Sequence, residues 1–142
     1  MKINRNLVLT LFLGLGIMGL QAQDKLGDHE QIITTLNYYL NGGTHNDFDT
    51  LKQAFHPSAT MKSVSDKDFR EVNALDFFRK GMSPGPKQDR KTEIISIDRT
   101  GNMAAAKLRI DYTGFTLYDH MQLMKIGDTW LIVSKMFTKE VH

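Results

Sequence analysis

The 142-residue chain contains no cysteine. That excludes disulfides, a thiol nucleophile, cysteine-bound metal and a lipid anchor carried on an N-terminal cysteine. None of the five histidines (His29, His45, His56, His120, His142) stands four residues from another, and no His-Glu-x-x-His segment occurs, so no metal site is expected. No serine lies in a Gly-x-Ser-x-Gly elbow and no glycine-rich phosphate loop is present. Hydrolase and nucleotide-cofactor readings therefore lack support, and no cofactor is expected.

Excess charge is also missing once the N-terminus is set aside. Lys2 and Arg5 precede an apolar stretch of 14 residues, Leu7–Leu20, followed by Gln21-Ala22. A membrane-spanning helix needs about 20 residues, whereas a secretory leader needs a basic start, a shorter apolar run and a small residue for cleavage. Residues 1–22 are expected to be such a leader, with export to the periplasm or beyond and no membrane span in the mature chain. Residues 1–22 hold two of the 18 basic residues and none of the 16 acidic ones, so the remainder is formally neutral. The basic pI belongs to the precursor, and nucleic-acid binding is not expected.

What is present is a helical first half and a strand-rich second half. Ile32, Ile33, Leu36, Tyr39 and Leu40 recur at three- and four-residue intervals, predicting a helix from His29 to Gly43. On that helix Tyr39 lies within about 60° of the apolar centre and Tyr38 nearly opposite. Asn46 is the expected cap of a second helix presenting Phe48, Leu51 and Phe55 and ending at His56-Pro57. Ala59–Val64 reads as a short strand and Ser65–Asp68 as a turn. Glu71–Met82 reads as a third helix with Val72, Leu75, Phe78 and Met82 inward. After the exposed Ser83–Arg90 connection come two strands, Thr92–Arg99 alternating about Ile95 and Ile97, and Met103–Tyr112. Three helices followed by antiparallel strands imply an α+β architecture, the helices packed on one face of a curved sheet with a cavity between the layers. Residues 23–142 suffice for one domain of this kind.

The last two strands form a hairpin about Gly127-Asp128, where glycine suits the first position of a two-residue turn. In the first of them Leu117, Asp119, Met121 and Leu123 share one face; Tyr118, His120 and Gln122 share the other. A carboxylate among apolar neighbours disfavours its own ionisation and marks a pocket. In the last strand two registers are open. A two-residue loop puts Trp130, Ile132, Ser134 and Met136 on the face of Asp119; a three-residue loop puts Lys135 and Phe137 there. Lysine's usual habit places Lys135 at the surface.

Three segments carry a family resemblance: NYYLNGGTHNDFDTLKQAFHPSATM, IISIDRTGNMAAAKL and YDHMQLMKIGDTWLIVSKMF. Across Glu30–Lys139 they resemble the nuclear transport factor 2-like superfamily, and within it the family of small bacterial proteins named "Putative lumazine-binding". The resemblance implies a cone-shaped α+β half-barrel with a ligand cavity, often dimerised through the outer sheet face. Ketosteroid isomerases of the same superfamily offer a second likeness. Tyr39 stands at the position of their oxyanion tyrosine and Asp119, in Tyr-Asp-His, at that of their oxyanion aspartate. Ser63 occupies the position of their aspartate base, and a serine cannot take that proton unaided.

Three functional readings follow. The first is an exported, noncatalytic domain binding a small apolar or aromatic heterocyclic molecule through Tyr39, Asp119, Met121, Leu123 and Trp130. The second is a lyase or isomerase of the ketosteroid isomerase or polyketide cyclase type, with Asp119 as protonated acid and Tyr39 as hydrogen-bond donor. It needs a third titratable group, for which Lys135, Asp111 and His56 are the candidates. The third is a homodimerising interaction module.

Overall fold

In a computed structural model the chain is described over residues 27–142, so the expected leader lies outside the described residues. Helix α1 (Asp28–Thr44) leads, with Asp28 and Glu30 in its first turn at the positive end of the helix dipole. One turn of helix, α2 (Phe48–Leu51), and a 3-10 turn (Lys52–Ala54) feed the long strand β1 (Phe55–Ser65). Then come β2 (Asp68–Asn73), α3 (Ala74–Gly81), β3 (Arg90–Thr100), β4 (Met103–Tyr112), β5 (Phe115–Ile126) and β6 (Thr129–Val141). The six strands make one sheet in the order β2-β1-β6-β5-β4-β3. Every neighbouring pair is antiparallel except β1 and β6, which run parallel.

The α+β arrangement of three helices on a curved sheet matches the sequence expectation, but several boundaries move. The cap of α2 is Asp47, whose side chain accepts from the Thr50 amide at 3.0 Å. Asn46 instead takes a left-handed conformation (φ 54) and donates to the Pro86 carbonyl at 2.7 Å, tying that turn to the connection before β3. Phe55 opens β1 and does not close a helix. Pro57 is tolerated there because the β1–β6 pairing is interrupted between Phe55 and Thr60, where a missing N–H costs nothing. Residues 71–73, expected at the head of a helix, belong instead to the strand 68–73 paired with β1, which leaves Val72 exposed. Asn73 then caps the shortened α3 by accepting from the Asp76 amide. In β3 the ladder slips between Ile94 and Ser96, so Ile94 and Ile97 pack on the core while Ile95 faces out.

The core lies between α1 and the inner face of β4, β5 and β6. Ile32, Leu36, Tyr39 and Leu40 on α1 meet Leu108, Ile110, Met121, Leu123, Trp130 and Ile132, all essentially inaccessible. Each such side chain contributes about 1.5–3 kcal/mol by leaving water, so helix position is set by this contact. Two polar ties fix its register along the sheet. Thr35 Oγ1 donates to the Trp130 carbonyl at 2.8 Å, and the Trp130 indole N–H donates to Asp28 at 3.0 Å. At the far end Gly42 approaches α2 so closely that a Cβ would stand 2.5 Å from the Leu51 amide nitrogen. That glycine serves packing, and the helix continues two residues beyond it.

Candidate functional site

Helical spacing carries Tyr39 to the inner side of α1, and strand alternation carries Asp119 to the inner side of β5. They meet: the Tyr39 hydroxyl donates to Asp119 Oδ2 at 2.7 Å, with Asp119 fully buried. Asp119 Oδ1 accepts from the Lys135 ammonium, and Lys135 is 3% exposed. The expectation of a surface lysine is thus overturned. A lysine this deep needs an opposite charge beside it, and Asp119 supplies one.

A bulge in β6 brings Lys135 inward. The turn is the two-residue one, with Ile126 opposite Thr129, so Trp130 and Ile132 point into the core. The ladder then slips, pairing Leu123 with Ile132 but Gln122 with Ser134, and leaves Val133 without a partner. One extra residue reverses the facing of all that follows. Lys135 and Phe137 therefore face in, while Met136 faces out. Each of the two registers open in the sequence describes one half of the strand.

Burial dominates the electrostatics. It pushes the Tyr39 phenol well above its ordinary range, reinforced by the Asp119 charge and by the hydrogen bond to it. Burial also lowers the Lys135 ammonium from its ordinary value, opposed by the attraction and hydrogen bond of Asp119. Lys135 further lies over the rings of Phe137 at 4.5 Å and Tyr39 at 5.5 Å. Tyr39 is held edge-on to Phe55 and against Phe78, ring centroids 5.7 and 5.9 Å away.

Two members of the triad border a cavity of about 230 Å³, and Asp119 lies behind them, outside its lining. Tyr39 and Lys135 reach its wall; Phe77, Phe78, Met82 and Phe137 make it apolar; Gln88, Arg90 and Tyr112 stand at one side. Met121, Leu123 and Trp130 pack into the hydrophobic core beneath and beside the triad and do not contribute to that wall. Of the three candidates for a third titratable group, Lys135 alone is at the site. Asp111 is bonded to Thr116 and Arg109, which hold its carboxyl below the usual range. His56 pairs with Ser58 at 2.7 Å. Ser63 lies in a second hollow of about 370 Å³ that shares Met61, Phe77 and Phe137 with the first.

This geometry differs from an oxyanion hole. There a tyrosine and a protonated aspartate both donate to the ligand. Here both oxygens of Asp119 act as acceptors, and the Tyr39 hydrogen is already committed to one of them. Arg90 and Tyr112 were missed as site residues. Tyr112 falls on the inward face of its strand by alternation, but nothing local marks Arg90, at the end of an apparently exposed charged run. Among the described residues no three His, Asp or Glu side chains converge as a metal site, and no helix is long and apolar enough to cross a membrane.

Comparisons with known proteins agree with this layout. An NTF2-like protein of unknown function from Shewanella baltica is 27% identical, covers 80% of this chain and 94% of its own, and superposes with a TM-score of 0.70. Another, from Methylobacillus flagellatus, is 26% identical over 82% of this chain and 97% of its own, with a TM-score of 0.70. A ketosteroid isomerase-like protein from Erwinia carotovora atroseptica shares the fold at 11% identity, 80% and 96% coverage and a TM-score of 0.64. No curated protein matches the chain. The sequence profile of the family described as "Putative lumazine-binding" matches residues 27–138. The chain belongs to that family, with an NTF2-like α+β fold.

Proposed function

We propose that residues 23–142 form a noncatalytic ligand-binding domain that takes a small aromatic heterocyclic molecule into the cavity above Tyr39, Asp119 and Lys135. One observation carries this reading: the three polar groups satisfy one another beside a cavity whose wall is apolar and aromatic at Phe77, Phe78, Met82 and Phe137 and polar on the side of Gln88 and Arg90. Such a site offers stacking and enclosure, with few polar contacts to fix orientation. Family membership supports it. The basic and apolar N-terminal pattern of residues 1–22 supports delivery outside the cytoplasm. Melting the purified protein with a panel of one- and two-ring heterocycles tests the binding. A ligand at 100 times its dissociation constant stabilises by about 2.7 kcal/mol. No shift with any member would sink the reading.

A second reading is favoured by Lys135. It supplies the third titratable group that an enzyme of the lyase or isomerase type requires, in a dry environment where a shifted amine can exchange protons. The reading stands if Asp119→Asn or Tyr39→Phe abolishes turnover of a cyclic ketone that wild type converts. It is finished if both variants retain full rate. For assembly, the outward apolar pair Met103 and Met124 supports a homodimer through the sheet's outer face. Light scattering of a strictly monomeric sample would remove it.

A further inference from the structure

We propose that the cavity selects a small aromatic anion, whose negative charge sits against the Arg90 guanidinium and the Tyr112 hydroxyl. This rests on the ligand-binding reading and adds the charge of the ligand to it.

Arg90 is the first residue of β3 and lies across the C-terminal end of α1. Its Nε donates to Thr44 Oγ1 at 2.9 Å, Nη2 to the Leu40 carbonyl at 2.9 Å and Nη1 to the Tyr112 hydroxyl at 2.6 Å. All three acceptors are neutral. Among the described residues no carboxylate comes within 4.0 Å of this guanidinium, although seven ion pairs form among those same residues. A part-buried cation without a counter-charge is costly to hold, so its persistence asks for an explanation.

The helix end provides part of one. The C-terminus of α1 carries the equivalent of about half a negative charge, and a cation capping it is favourable. Half a charge does not neutralise a guanidinium. Capping needs only the contacts to Leu40 and Thr44, yet the group also reaches Tyr112, with the guanidinium carbon 5.6 Å from that ring. Three of its five N–H groups are used, so one remains on each terminal nitrogen to donate to a ligand. Tyr112 accepts from Arg90, and its own hydroxyl hydrogen has no acceptor among the described residues. Asp119 cannot supply the counter-charge because Lys135 already neutralises it. The cavity therefore carries one uncompensated positive charge beside an aromatic wall. Gly43 protects that seat: any Cβ there would collide with Arg90 Nη2.

The test compares a carboxylate with its neutral isostere. Quinoline-2-carboxylate and quinoline-2-carboxamide are titrated calorimetrically into the purified protein at pH 7. We expect the carboxylate to bind at least about tenfold more tightly, as befits a charge-assisted pair. Arg90→Gln should erase that preference, lowering carboxylate affinity at least about tenfold more than carboxamide affinity. Tyr112→Phe, which keeps the ring and the fold, should reduce it severalfold. Equal affinities in wild type, or a preference that survives both substitutions, would overturn the proposal while sparing the ligand-binding reading. Failure of both compounds to bind would overturn the proposal, and a flat melting panel beside it would overturn the ligand-binding reading as well.

Discussion

Lys135 and Asp119 are joined diagonally across β5 and β6: in the ladder Lys135 stands opposite Met121 and Asp119 opposite Phe137. The lysine stem leans two rungs along the ladder, past the outward pair His120 and Met136, to place its charge on the carboxylate. Breaking such a buried pair leaves one charge without a partner, at about 3–5 kcal/mol. Lys135→Met should lower urea stability by that amount. Lys135→Met with Asp119→Asn, which removes both charges, should recover most of the loss.

Tyr39 provides a pH signature. Its phenol is held above 10.0 in the folded state, so between that value and the folded one the native protein retains a proton that the unfolded chain has released. Stability should consequently fall as pH rises beyond about 10. In a spectrophotometric titration Tyr39 should ionise last of the four tyrosines, at or with unfolding. Tyr39→Phe should remove that last step and flatten the alkaline slope, while costing about 1–3 kcal/mol at neutral pH for the lost bond to Asp119.

The bulge at Val133 makes a sharper claim. Deleting Val133 restores regular pairing of β6 with β5, which turns Lys135 and Phe137 to the outer face or Trp130 and Ile132 away from the core. Either result strips several core contacts at once, so the loss should exceed about 4 kcal/mol. Near-ultraviolet circular dichroism of the deletion should show the collapse of ordered aromatic packing. A native spectrum would refute this account of the strand.

The adjacent glycines 42 and 43 should respond differently. Gly42→Ala drives a methyl into the Leu51 backbone, which cannot swing aside, and should cost about 1–3 kcal/mol. Gly43→Ala meets the movable tip of Arg90 instead. It should melt closer to wild type while losing the carboxylate preference. Differential scanning of the two variants checks the first half of this contrast, and the quinoline titration the second.

These residues also show what can be read from a sequence. The facings of Tyr39 and Asp119 follow from 3.6- and 2-residue periods over regular segments, and so does the whole of β4. Lys135 could not be placed, because period-2 reasoning fails at a single inserted residue and Val133 carries no turn chemistry to announce it. Residues 71–73 suit a strand end as well as a first helical turn; the hairpin with β1 through the left-handed pair Asp66 and Lys67, neither of them a glycine that would announce it, decides between them. Arg90 is the clearest case. Its partners Leu40, Thr44 and Tyr112 lie 50, 46 and 22 residues away, so its role exists only in three dimensions.

The parallel pairing of β1 with β6 has a temporal consequence. β6, the last of the described strands in chain order, occupies the interior of the sheet, between β1 on one side and the three-stranded meander β3–β4–β5 on the other. Until it arrives, β1 and β2 form an isolated ribbon, and α1 has neither Trp130 nor Ile132 to cover. Contacts that close so late in sequence carry a large loop-closure penalty and slow the search. Docking of β6 between β1 and β5 should therefore be the slow step of refolding, after the β1–β2 ribbon and the β3–β4–β5 meander have formed.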